Sequence, residues 1–95
     1  MNSIDIELDG KRAHGVLINL PGVPLVLAYG ERGFVMCGYL NVEVAEKLGV
    51  AAAMVRGVST VKDLLQADVQ ACTRAAAERG VRVGMSGKEA LEKLL

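Results

Sequence analysis

Apolar and polar positions alternate near the start of the chain. Residues 4–8 place isoleucine and leucine at every second position, with Asp5 and Glu7 between them. This period of two predicts a half-buried strand. The next two residues, Asp9 and Gly10, favour a tight hairpin because both tolerate positive φ. Residues 11–20 then predict the return strand.

Two further apolar runs follow, at residues 25–29 and 34–40. Pro21 and Pro24 bracket the turn before the first run, because proline cannot donate to a sheet ladder. The segment 30–33, Gly-Glu-Arg-Gly, predicts a hairpin loop between the two runs. The first forty residues therefore predict a four-stranded antiparallel meander.

The pattern changes at Asn41, a residue type that favours the N-cap of a helix. Residues 42–48 predict a short helix, and Gly49 favours the left-handed geometry that ends one. Residues 51–56 weakly predict a strand. Thr60 and Asp63 then have the spacing of a capping box, so a second helix is expected through at least residue 65.

Residues 67–79 fit two interpretations. Apolar residues at 65, 69, 72 and 76 suit one long helix that ends at Gly80. The alternation of residues 67–72 instead favours a strand, after which Thr73 caps a separate helix. We favour the strand and then the helix. The motif Ser86-Gly87-Lys88-Glu89 is a capping box and predicts a last helix.

These elements predict an α+β fold in one compact domain, residues 1–95. Residues 1–40 form its β-meander half, and residues 41–95 form an α/β half of short helices and strands. An antiparallel start followed by alternating helices and strands implies a mixed sheet packed with helices.

Charge and hydropathy exclude several classes of function. The 95 residues include 11 basic and 11 acidic side chains, and only 3% are aromatic. This balance offers little to nucleic-acid phosphates, bases or anionic lipid. No apolar run reaches the roughly 18–20 residues of a membrane span. The first residues lack the features of a secretory signal, so we expect a cytoplasmic protein with no nucleic-acid or membrane partner.

Cysteine and histidine usage predicts neither a metal site nor a cofactor. Cys37 and Cys72 are too far apart in sequence for a CxxC motif, and His14 is the sole histidine. Two cysteines and one histidine at unrelated spacings make a poor zinc site. A disulfide between the cysteines is disfavoured in the cytosol.

Several segments share a pattern with a known family. They are Leu20-Pro21-Gly22-Val23-Pro24-Leu25, Gly33-Phe34-Val35-Met36-Cys37-Gly38-Tyr39-Leu40-Asn41, Ala45-Glu46-Lys47-Leu48-Gly49, Gly57-Val58-Ser59-Thr60, Asp63-Leu64-Leu65 and Gly84-Met85-Ser86-Gly87-Lys88-Glu89-Ala90-Leu91. Together they resemble the YunC-like family of small bacterial and archaeal proteins, a domain of unknown function. The resemblance spans nearly the whole chain and implies a compact α+β fold. It implies no activity, substrate or catalytic residue.

Cys37 is the first candidate for chemistry. It lies at the end of an apolar run, four residues before the expected N-cap Asn41. A helix N-terminus stabilises a nearby thiolate, which makes a cysteine reactive. A free cysteine is nevertheless most often a small buried hydrophobe, and we favour that interpretation over ligand lining or nucleophilic chemistry.

The expected helix starts supply a second set of candidates. Exposed backbone amides at a helix start, together with small polar side chains, can bind an anion. If the starts converge beside Cys37, Arg56 or Lys88 would supply the counter-charge. The candidate ligand-binding residues are then Cys37, Asn41, Arg56, Ser59, Thr60 and Ser86. Ordinary helix capping explains the same polar residues, and we favour it.

His14 is the other catalytic candidate, because imidazole titrates near neutrality. A lone histidine on a strand is more often structural or exposed. Tyr29 and Tyr39 are expected to pack at edges, and a role in stacking on a ligand is the lesser alternative. No catalytic dyad or triad can be derived from sequence order, because such partners meet only in space.

The apolar runs 25–29 and 34–40 leave two hypotheses for function. Strands that are apolar on both faces need cover on both faces. If the helices do not supply it, the exposed face binds a second copy, most simply as a two-fold dimer. The first hypothesis is a protein that binds, or an enzyme that acts on, a small anionic metabolite near Cys37. The alternative is a non-catalytic oligomeric or accessory protein.

Overall fold

A six-stranded mixed sheet organises the protein, and a computed structural model describes residues 2–8 and 10–95. The strands lie in the sheet in their order along the chain. Neighbouring strands are antiparallel except β4 and β5, which are parallel. The strands are β1 (Asn2–Leu8), β2 (Lys11–Ile18), β3 (Leu25–Tyr29), β4 (Phe34–Met36), β5 (Ala52–Met54) and β6 (Ala71–Cys72).

Four short helices connect or follow the later strands. They are α1 (Val42–Leu48), α2 (Val61–Gln66), α3 (Arg74–Glu78) and α4 (Gly87–Lys93). Each begins after a polar residue whose side chain accepts a hydrogen bond from a backbone N–H of the first turn. Such capping satisfies amides that would otherwise lack an intrahelical partner. The crossover from β4 to β5 contains α1, as a parallel connection requires.

Helices α2 and α4 cover one face of the sheet. Val26, Ala28 and Val35 point to this covered face and are fully buried, as are Leu64 of α2 and Leu91 of α4. The two helices approach each other closely at Gly87. A Cβ atom at this position would lie 2.0 Å from the carbonyl oxygen of Leu64, so only glycine fits. The close approach seals the main hydrophobic core.

The opposite face is covered at one end. Helix α1 packs against β5 there, around a small cluster formed by Met36, Ala45, Ala52 and Met54. Over β1, β2 and β3, none of the described helices packs on this face. The sheet therefore has two unequal sides, one closed and one open over half its width.

The structure confirms the predicted α+β class and the four-stranded antiparallel meander. Three strands end earlier than the sequence predicted. Strand β2 ends at Ile18 and β5 at Met54, each two residues early, and β4 ends at Met36, before a turn at 38–39. The predicted hairpin turn at Asp9 lies outside the described residues, whereas Gly10 has the expected positive φ of 75°.

The ambiguous segment is a strand followed by a helix. Strand β6 comes first and α3 follows, so the interpretation as one long helix is wrong. Thr73 caps α3, and its buried hydroxyl also contacts the backbone of the segment leading into β5. These contacts interrupt helical geometry between α2 and α3. The capping box at Ser86 is confirmed at the start of α4.

None of the helices in the described part of the chain is long and apolar enough to cross a membrane.

Candidate functional site

Cys37 lies directly after β4 and is buried, with 4% of its surface exposed. It belongs to the main core, on the covered face of the sheet. Its sulfur accepts a hydrogen bond from the backbone N–H of Val26 at 3.4 Å, and its own N–H donates to the carbonyl of Val26 at 3.1 Å. These contacts extend the pairing of β3 with β4 by one residue and fit a buried thiol.

A cleft of about 520 Å³ opens beside Cys37. The loop before β3 forms one wall with Val23 and Pro24, and the loop after β5 forms another with residues 57–59. Tyr39 also lines the cleft, and its hydroxyl donates a hydrogen bond of 2.6 Å to the carbonyl oxygen of Val23 in the first wall. A cleft of this volume is large enough for a small organic molecule.

One cation and one anion flank this cleft. Arg56 lies beside it, with its Cγ atom 3.9 Å from where a Cβ on Gly38 would be. On the other side, the carboxylate of Asp63 accepts hydrogen bonds from the backbone N–H and the hydroxyl of Ser59, at 3.3 and 3.2 Å. These two bonds, the backbone one foremost, lower the pKa of Asp63 from its ordinary value of 3.8. Asp63 therefore stays ionised near neutral pH.

The helix starts do not converge on this cleft. Ser59 lines it, whereas Asn41 lines a separate groove with α1 on the other face of the sheet. Ser86 begins α4 at the C-terminal end of α2, where the N–H of Gly87 donates to the carbonyl of Ala67 at 2.8 Å. The length of α2 thus separates Ser86 from Thr60, and the shared hollow expected from the sequence is not formed.

Each of these polar side chains caps its own helix. Asn41 accepts from the N–H of Glu43 at 2.8 Å, Thr60 from that of Asp63 at 3.0 Å, and Ser86 from that of Glu89 at 3.1 Å. These side-chain oxygens are therefore already engaged as helix caps. Helices of five to seven residues also have only a small dipole to offer an anion.

His14 lies on the opposite face of the sheet from Cys37. Its Nδ1 atom is 3.1 Å from Oδ1 of Asp5, and its ring centroid is 5.2 Å from that of Tyr29. The side chains of His14 and Asp5 are 42% and 65% exposed. Because the sheet separates the imidazole from the thiol, the two cannot act as a cysteine–histidine pair.

Both cysteines are free thiols, Cys37 buried and Cys72 half-buried. Over residues 2–8 and 10–95, no group of three or more histidine, cysteine, aspartate or glutamate side chains could hold a metal ion.

The uncovered half of the sheet exposes apolar side chains from β2 and β3. Val16, Ile18 and Leu27 are half-buried and Tyr29 is 41% exposed, and all four belong to neither core cluster. We call these four residues the open face. On the covered side of the same strands, Ala13, Val26 and Ala28 are fully buried, so the exposure of the open face reflects the lack of a covering helix among the described residues. Asp5 and His14, which pair across β1 and β2, give the open face a polar border.

Helix α1 forms an apolar ridge beside the open face. Val44 and Leu48 lie four residues apart, on one side of the helix, and are 51% and 72% exposed. We call this pair the α1 ridge. A groove of about 350 Å³ lies next to the α1 ridge and is lined by Phe34, Leu40 and Val50. The sheet and the helix thus present two exposed apolar surfaces on the same side of the sheet.

Sequence reasoning missed three features of these surfaces. The bond from Tyr39 to Val23 joins residues far apart in the chain, and no local pattern signals it. Asp63 was considered only as a capping residue. The apolar positions 42, 44, 45 and 48 were a usable signal for the ridge, because they surround the helix on more than one side.

Comparison with known proteins gives one relative and one solved structure. The chain is 36% identical to the uncharacterized protein YunC of Bacillus subtilis over 99 residues, covering all of this chain and 98% of the relative. Its structure is similar to the crystal structure of TA1206, a protein of unknown function from Thermoplasma acidophilum. The TM-score is 0.94 at 34% identity, over 99% of this chain and 92% of the other.

A family model for a domain of unknown function, DUF1805, matches residues 36–94. This range begins at the last residue of β4 and includes every element after it. Because the match covers more than half the chain and agrees with the full-length relative, the chain belongs to the DUF1805 family.

Proposed function

We propose that this protein is a non-catalytic, self-associating module whose open face and α1 ridge bind a second copy of the chain. The observation that carries the proposal is the contrast between the two sides of β2 and β3. Ala13, Val26 and Ala28 are fully buried on one side, and Val16, Ile18 and Leu27 are half-buried on the other. An exposed apolar patch with a polar border is typical of an interaction surface.

Shape and charge favour a second copy as the partner. The open face and the α1 ridge lie on the same side of the sheet, and Val44 and Leu48 of the ridge are 51% and 72% exposed. A two-fold rotation can therefore set the ridge of each copy against the open face of the other, which gives a closed, self-complementary contact. The chain carries 11 basic and 11 acidic residues, so two copies do not repel each other through net charge.

Domain size supports the same conclusion. A chain of 95 residues buries roughly 60–65% of its unfolded surface, and its stability is modest. Pairing would bury further apolar area. Each Å² buried would stabilise the dimer by about 25 cal/mol, before the cost of association is subtracted. A specific interface covers about 800 Å² on each partner, so the ridge and the open face must both take part.

Molar mass in solution tests this proposal. We expect light scattering to give a multiple of 10.0 kDa for the natural chain. Val16→Glu, which puts a charge on the open face, should give the monomer mass. Leu48→Glu should do the same without disturbing the core, because Leu48 is 72% exposed.

Val83→Glu is the matched control. Val83 is 64% exposed on the loop before α4, away from the open face and the ridge. This variant should keep the mass of the natural chain. A natural chain that stays monomeric up to sub-millimolar concentration would contradict the proposal. So would Leu48→Glu and Val16→Glu variants that associate as the natural chain does.

Binding of a small anionic molecule in the cleft beside Cys37 is the second candidate function. Its support is that two predicted site residues, Cys37 and Ser59, line one cleft and that Arg56 lies beside it. The negative charge of Asp63 disfavours an anion near Ser59, so the anionic group is expected on the Arg56 side. The buried sulfur would line the cleft and not act as a nucleophile.

Thermal shift measurements test the cleft. Phosphate and small carboxylates should raise the melting temperature of the natural chain, because a ligand that binds the native state stabilises it. Arg56→Gln should abolish the rise. Arg74→Gln, which removes an exposed arginine on α3, should leave it intact. An equal rise in all three proteins, or no rise in any, would contradict this candidate.

A further inference from the structure

A cavity of about 730 Å³ lies between the sheet and α3. Leu27, Phe34 and Leu40 form much of its floor, and Val50 and Ala75 close its sides. The lining is therefore largely apolar. The cavity borders the open face through Leu27 and Tyr29 but is formed by one chain alone.

Two arginines from distant parts of the chain line this cavity. Arg32 comes from the loop between β3 and β4, and Arg79 from the end of α3. Within the described part of the chain, neither guanidinium group forms an ion pair or a hydrogen bond. Glu31 is the one acidic residue of the lining, so the cavity walls carry a net charge of +1.

Backbone hydrogen bonds order the main chain at both arginines. The N–H of Arg32 donates to the carbonyl of Leu94 at 3.0 Å, and Gly30 and Gly33 close the loop with a bond of 2.9 Å. The N–H of Arg79 donates to the carbonyl of Ala76, and Gly80, at a φ of 100°, ends the helix directly after it. Both arginine side chains thus extend from ordered backbone at one cavity, so binding a ligand does not also have to order the main chain.

Further cations lie next to Arg32, outside the cavity. Lys11 and Arg12 of β2 line a smaller cleft together with Arg32 and Glu31. A cavity that opens beside clustered cations attracts anions and repels cations. Its apolar floor, in turn, disfavours sugars and other strongly hydrated ligands, because their polar groups would lose water without gaining partners.

We infer that this cavity binds a small amphipathic carboxylate, with the apolar body on the floor and the carboxylate at Arg32 and Arg79. Planar guanidinium groups pair with carboxylates through two parallel hydrogen bonds, which gives both affinity and orientation. The site is separate from the cleft beside Cys37, with which it shares no lining residue. Its lining belongs to a single chain, although Leu27 and Tyr29 are also part of the open face.

Titration with octanoate, followed by amide chemical shifts in NMR spectra, tests the assignment. Octanoate should shift the amides of residues 30–33 and 75–80. The neutral 1-octanol should bind more weakly at the same amides, and octylammonium should not bind. In the variant carrying Arg32→Gln and Arg79→Gln, octanoate affinity should fall about tenfold or more, since hydrogen bonds to charged groups are the strong ones. Affinity for 1-octanol should be unchanged.

Arg74→Gln is the matched control, because Arg74 is an exposed arginine of α3 that does not line this cavity. This variant should bind octanoate as the natural chain does. Equal affinity for octanoate and 1-octanol would overturn the inference, as would an equal loss in the Arg74 variant. Shifts confined to the open face or to the cleft beside Cys37 would also overturn it.

Discussion

The hydroxyl of Thr73 donates a hydrogen bond of 2.8 Å to the carbonyl oxygen of Val50, which ties the start of α3 to the segment leading into β5. The same oxygen accepts from the N–H groups of Ala52 and Ala76, at 3.0 and 3.3 Å. One buried hydroxyl, only 2% exposed, thereby satisfies three backbone groups. It joins two segments 23 residues apart in the chain.

Thr73→Ala should destabilise the fold by about 3 kcal/mol. The change removes the partner of the part-buried carbonyl of Val50 and of the buried N–H of Ala52, and each such loss costs about 1–3 kcal/mol. Urea unfolding measures the difference. Thr73→Ser keeps the hydroxyl and removes only one methyl group, so it should cost about 1 kcal/mol. Equal losses in the two variants would mean that methyl packing dominates.

Local signals in the sequence were sufficient to predict most of the individual helices and strands. Asn41 and Gly49 bounded α1, and Ser86 with Glu89 marked the start of α4, because caps act within one helical turn. Strand β3 was predicted over the residues it occupies. The ends of the strands were predicted less accurately. Strand β4 stops before Cys37, where pairing with β3 and the following turn decide its length.

Features that depend on distant contacts were not predictable from the sequence. The parallel pairing of β4 with β5 decides that α1 covers only one end of the sheet. The predicted site residues do not come together because their positions also depend on a contact between distant segments. The packing of Gly87 on Leu64 directs the start of α4 to the far end of α2, away from Ser59. No pattern within one segment encodes either contact.

Gly87→Ala should separate α4 from α2. The added Cβ would lie 2.0 Å from the carbonyl oxygen of Leu64, which is backbone and cannot move aside cheaply. We expect a loss of about 1–3 kcal/mol, as for other overpacked sites, measured by urea unfolding. Gly38→Ala is the matched control, because its nearest neighbour is the flexible Arg56 side chain at 3.9 Å. It should cost about 0.5 kcal/mol or less. The prediction fails if both variants unfold at the same urea concentration.

The thiol of Cys37 should react slowly with alkylating reagents in the native state. Its sulfur is buried and accepts a hydrogen bond, so reaction requires local opening of the structure. In a Cys72→Ala background, we expect alkylation about a hundredfold slower than that of free cysteine, which corresponds to an opening cost of about 3 kcal/mol. The half-buried Cys72, measured in a Cys37→Ala background, should react faster. Alkylation of Cys37 at the rate of free cysteine would contradict its burial.

Stability should depend on pH through Asp63. Hydrogen bonds from Ser59 lower the pKa of Asp63 in the folded state below the value of 3.8 that the carboxyl group has without them. The unfolded chain therefore binds the proton more tightly, and the stabilisation is complete above the unfolded pKa. It is lost as the pH falls through the folded pKa. Asp63→Asn should lower the melting temperature at neutral pH, and this difference should shrink below about pH 4.

Asp68→Asn separates this effect from a general change in charge. Asp68 is exposed, and it also follows α2 closely in the chain, so the substitution removes one carboxylate from the same region. Its melting temperature should stay near that of the natural chain at neutral pH. Ser59→Ala provides a second test, because it removes the hydroxyl bond to Asp63 and keeps the stronger backbone bond. It should produce part of the Asp63→Asn effect. A difference between the natural chain and Asp63→Asn that is the same at every pH would show that the carboxylate's ionisation is not its source.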